Sequence, residues 1–176
     1  ADFYQGTELW NLTLVDPDNR RPVDFAAQNR HLVNLLAEMA EALNAPTQQA
    51  VESWLAAGPS ALPESLVDHF LQRLLDHRQD GRIKLFATLL SLHLRRRFPD
   101  LFTTGDYEPL TVTGPHADRL VAFARRHKDQ AALAIVPRLT VHVTGFGGPP
   151  PVGDTWADTQ IELPPSLAGR HFVDIY

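Results

Sequence analysis

Asp2-Phe3-Tyr4-Gln5-Gly6-Thr7-Glu8-Leu9-Trp10, resuming as Asp16-Pro17-Asp18-Asn19-Arg20-Arg21-Pro22-Val23-Asp24, is the stretch around which this chain is organised. It sets aromatic rings, carboxylates, an amide and two arginines within about two dozen residues. Buried charges need partners and are costly to desolvate, so this is poor core material. It suits the rim of a polar pocket, where rings stack and charged groups grip hydroxyls. The expectation is a wall of an active site whose other side lies outside this chain, and hence a piece of a longer protein.

Working outward, residues 1–10 read as an extended segment entering a turn-rich loop, with Asp16-Pro17-Asp18-Asn19 as turn chemistry. Asp24 then caps a helix over roughly 25–43, whose Leu32, Leu35, Leu36, Met39 and Leu43 recur at helical spacing. Pro46 ends it, and Thr47 caps a second helix through Ala57 with Val51, Trp54 and Leu55 inward. A third helix follows Pro63 and closes at Asp80-Gly81. The fourth, about Arg82 to Phe98, carries two apolar stripes, and Arg95-Arg96-Arg97 complements the negative end of its dipole.

After Gly105 the period changes to two. Leu110 and Val112, Val121 and Phe123, Leu139 with Val141 and Val143, and Ile161 with Leu163 alternate with small or polar residues, and Phe172 to Ile175 forms a last strand candidate. The fold class is therefore α+β, a four-helix N-terminal part followed by a small antiparallel β-sandwich. The expected domains are 1–103 and 104–176, with Gly145 to Gly153 a long loop in the second.

Composition narrows the chemistry. With 44% apolar and 21% charged residues the chain can bury a core. Its net charge of −5 gives no electrostatic support for nucleic acid or an anionic membrane. There is no cysteine, which excludes disulfides and thiolate chemistry, and no apolar run approaches the ~20 residues of a membrane span. The histidines do not fall at i and i+4 on one helix face, so a zinc site is not expected. Glu8, Asp16, Asp18 and Asp24 invite a paired-carboxylate reading, although aspartates beside prolines are more often turn formers. Arg20 and Arg21 either clamp hydroxyls or pair with those aspartates. Trp10, Trp54 and Trp156 could stack on sugars, with core packing the better account of Trp54.

The same two runs, with Asp80-Gly81-Arg82-Ile83-Lys84-Leu85-Phe86, Gly105-Asp106-Tyr107, Val121-Ala122-Phe123-Ala124-Arg125, Pro137-Arg138, Trp156-Ala157-Asp158-Thr159 and Leu163-Pro164, closely resemble the maltooligosyl trehalose synthase family of the α-amylase superfamily. The likeness covers nearly the whole chain but only the C-terminal part of the family's protein. It implies a cytoplasmic isomerase with a (β/α)8 barrel, which converts the reducing-end α-1,4 bond of a maltooligosaccharide to an α,α-1,1 bond with retention and without metal or organic cofactor. The family's three catalytic carboxylates lie upstream of the matched segment, so no residue here is expected to be catalytic.

The resemblance further implies that residues 1–103 are the last barrel strand, a helical insertion and the last barrel helix. Tyr4, Gln5, Glu8, Asp16, Asp18, Arg20 and Arg21 would then lie at or near the sugar sites. Lys84 either faces substrate or forms a structural ion pair. The expected partners are the maltooligosaccharide and the rest of the enzyme. Without its barrel the fourth helix would expose an apolar face, so the isolated chain is expected to self-associate, exchange elements or pack its N-terminal segment into that gap, and to be inert. A non-catalytic carbohydrate-binding or interaction module of the same descent is the alternative.

Overall fold

The computed structural model describes residues 6–13, 20–44, 48–57 and 67–176. Among the described residues the strands, paired into small antiparallel sheets, all follow Gly105, after the longer helices. One compact unit runs to Arg97 and includes Val173–Tyr176; the other is Phe98–Phe172.

In the first unit, α1 (Phe25–Ala42) begins where Asp24 accepts a 2.8 Å hydrogen bond from the Ala27 amide on Oδ1, as its capping role requires. Its expected inward positions Leu35, Leu36 and Met39 are buried. α2 (Gln48–Ala57) buries Val51 and Leu55; its expected cap Thr47 and the side chain of Trp54 lie outside the described residues. The start of the third helix at Pro63 lies outside them too. What is described is a π turn over Val67–Leu71 that runs into α3 (Gln72–Asp76) and a 3-10 turn over Arg78–Asp80. α4 (Arg82–Arg97) closes the core with Leu85, Phe86 and Leu90. The Phe70 and Phe86 rings meet edge to face at 5.4 Å. The apolar stripe of α4, expected to be exposed without further covering, is largely covered within the unit, where Leu9 of the N-terminal segment packs against the same cluster; Leu92 is 41% exposed.

The second unit opens with α5 (Pro99–Thr103), proline at its first turn. Strands β1 (Asp106–Pro109), β3 (Leu120–His127) and β4 (Gln130–Pro137) form one antiparallel sheet in the order β1-β3-β4. β2 (Thr111–Thr113) and β5 (Gln160–Glu162) form a second, two-stranded one. Register pairs Val121 with Val136 and Tyr107 with Arg125. Leu110, Ala122, Ala124 and Leu167 are the buried core, flanked by Val112, Leu133, Ile161 and Phe172.

Two strand expectations fail. The run Leu139, Val141, Val143 forms a single helical turn, α6 (Val141–Thr144), because Leu139 takes a left-handed φ of 50° and its carbonyl and that of Thr140 accept helical amide bonds. Between Pro137 and Gly145 the segment is too short for two periods of alternation to exclude one helical turn. Phe172 to Ile175 is irregular: Phe172 packs on the β core, while the Tyr176 hydroxyl meets Ser91 Oγ at 2.6 Å. β4, unexpected, pairs with β3 through a two-residue turn at Lys128-Asp129, with Lys128 left-handed. Its alanine-rich sequence lacks the apolar alternation that marks a strand.

Candidate functional site

The opening stretch is described from Gly6 to Thr13, and Gly6 to Trp10 is held against the helical unit by five contacts. The Gln28 amide donates to the Gly6 carbonyl at 2.9 Å. Lys84 Nζ donates to the Thr7 carbonyl and, at 3.1 Å, to that of Leu9, bracketing Glu8. The same ammonium stands over the Trp10 ring, 5.5 Å from its centroid, within cation–π range. Trp10 Nε1 donates to the Arg78 carbonyl at 2.6 Å.

Gly81 makes this approach feasible. It takes φ +82°, and a Cβ there would lie 2.9 Å from the Trp10 amide nitrogen. On either side of it Asp80 and Arg82 fasten the start of α4. Arg82 Nε meets Asp80 Oδ2 at 2.7 Å, its amide donates to Oδ1 at 2.9 Å, and its Nη1 pairs with Glu38 of α1. Burial alone would raise the Asp80 carboxyl, but the Arg82 amide, guanidinium and charge, with His77, bring it below its ordinary 3.8.

Beside this loop lies a cleft of about 370 Å³ lined by Glu8, Leu9, Phe25, Gln28, Asn29, Leu32 and Leu85. Its lining mixes apolar walls with a carboxylate and two amides. Glu8 Oε2 is buried with no hydrogen-bond partner, an under-satisfied acceptor.

Of the sequence-predicted residues, Glu8 and Lys84 are thus brought to one loop, Glu8 in the cleft wall and Lys84 on the loop's backbone. Lys84 bonds the carbonyls of Thr7 and Leu9. Arg20 and Arg21 are exposed. Tyr4, Gln5, Asp16 and Asp18 lie outside the described residues. Sequence reasoning missed Gln28, Asn29 and the carbonyl of Arg78: the two amides sit on α1 with no signal beyond the face they share, and a backbone acceptor leaves no side-chain signature. Among the described residues no group of three or more His, Asp or Glu side chains could hold a metal ion, and no helix is long and apolar enough to cross a membrane.

Fold and loop together define a mixed helix-and-sheet protein that presents a polar, aromatic loop from its helical unit. No family model matches the chain. Two Mycobacterium tuberculosis proteins, from strains CDC 1551 and H37Rv, whose names assign them to maltooligosyl trehalose synthase, are each 32% identical over 163 residues, 93% of this chain and 14% of theirs. Solved structures of maltooligosyltrehalose synthase from Arthrobacter ramosus are also similar. A mutant form covers 95% of this chain and 16% of its own with TM-score 0.52 at 32% identity; a second structure covers 91% and 15% with TM-score 0.51 at 32% identity. The chain belongs to the maltooligosyl trehalose synthase family, and it spans about one seventh of the length of the curated relatives it matches.

Proposed function

We propose that this chain is the C-terminal portion of an enzyme that isomerises maltooligosaccharides, breaking the reducing-end α-1,4 bond and forming an α,α-1,1 bond with no net gain or loss of water. The observation that carries this reading is the match itself: nearly all of this chain aligns with relatives so named, while most of their length lies outside it. The enzyme is cytoplasmic and works without a cofactor. Residues 1–103 supply the end of the catalytic barrel and 104–176 a C-terminal β-sandwich.

In this reading the reacting carboxylates belong to the rest of the enzyme. Retaining glycosyl transfer needs a nucleophile and an acid–base carboxyl about 5–5.5 Å apart on either side of the scissile bond. Tyr4, Gln5, Glu8, Asp16, Asp18, Arg20 and Arg21 contribute sugar contacts, Glu8 accepting from a hydroxyl, and Lys84 supports them through the loop's backbone. This chain alone is inert.

The test is to incubate the 176-residue chain and the full-length enzyme separately with maltopentaose and assay for non-reducing product. Product from the full-length enzyme alone is expected. Robust turnover by the chain itself, or none by the full-length enzyme, overturns the proposal.

A further inference from the structure

We infer that Trp10 is a stacking platform for a glucosyl ring of the substrate glucan, and that Lys84 is the positioning residue that holds it. The inference rests on the proposed function, which supplies the ligand class. Trp10 is 51% exposed, an expensive posture for an indole unless something covers it. Its polar edge is nonetheless satisfied by the Arg78 carbonyl at 2.6 Å. Lys84 Nζ stands over the ring, and the carbonyls of Thr7 and Leu9 anchor that ammonium in turn. At Gly81 the backbone of Trp10 approaches so closely that no Cβ could be added without a shift.

A ring fixed by its edge, by a cation and by its backbone has little rotamer freedom left to lose on binding. Its remaining exposed surface is flat and apolar. A pyranose offers the complement, C–H groups on its face and hydroxyls around its rim. The competing account is that the rest of the enzyme merely packs over the ring.

Full-length enzyme carrying Trp10→Ala, Trp10→Phe, Lys84→Met or the Trp10→Ala/Lys84→Met pair separates these accounts. With maltopentaose, Trp10→Ala is expected to raise KM about fivefold with kcat changed less than about twofold, and Trp10→Phe to retain most of the affinity. Maltopentaose should shift tryptophan emission, with that component absent from Trp10→Phe. Lys84→Met should raise KM in the wild-type background but not further in Trp10→Ala. If Lys84→Met fails to fold, the two Trp10 variants and the emission titration decide alone. An unchanged KM for Trp10→Ala with lowered thermal stability assigns the ring to packing and overturns the inference, as do additive KM effects. Failure of the wild type to form an α,α-1,1 product removes the proposed function instead, and the emission titration still judges the platform.

Discussion

Asp80 is a small lever on which the loop's support turns. Its carboxylate accepts from the Arg82 amide and guanidinium, and Arg82 carries the contact on to Glu38 of α1. The folded-state pKa is lowered, so the stabilisation is present in full above the unfolded value and is lost as pH falls through the folded one. Asp80→Asn should therefore lower the urea midpoint near neutral pH, with the gap to wild type closing as the pH drops below about 4. A gap that persists undiminished at pH 2 would sink this account. The Asp80-Gly81-Arg82-Ile83-Lys84 run was recognisable in sequence as a motif. Its purpose was not, because Lys84 and Trp10 use backbone carbonyls, which any residue could have supplied.

Elements show the same division between what side chains announce and what the backbone decides. α1 was legible from end to end because its cap, its apolar spacing and Pro46 beyond it agree. Asp24→Ala removes the acceptor of the Ala27 amide and should cost about 1 kcal/mol in chemical unfolding, with Asp24→Asn close to wild type. Equal losses from the two substitutions would point to charge instead of capping. The β elements were less legible. Alternation alone predicted a strand at Leu139 to Val143, where φ at Leu139 turns the chain into a helical turn. It passed over β4, whose small side chains carry little pattern but whose register with β3 continues from Leu120–Pro137 to His127–Gln130. Strand pairing is a property of two segments, and a single segment read alone does not contain it.

At the scale of the whole molecule the two units differ in how much holds them. Among the described residues the helical unit has ten buried residues in one cluster, including both rings of the Phe70–Phe86 pair, whereas the cluster of the β unit has four, two of them alanines. A small core leaves little margin, since stability is a narrow difference between burial and chain entropy. Leu167 matters out of proportion here. It sits outside every strand, in the turn between Pro164 and Arg170, yet is fully buried against Leu110, Ala122 and Ala124. Leu167→Ala leaves a cavity under both sheets and should cost about 2–5 kcal/mol, enough to unfold this unit selectively. Hydrogen exchange reads the outcome locally. Amides of β3 and β4 should lose protection while those of α1 and α4 keep theirs. Uniform loss across both units would mean that the two share one cooperative transition; unchanged β protection would mean that the site collapses around the smaller side chain.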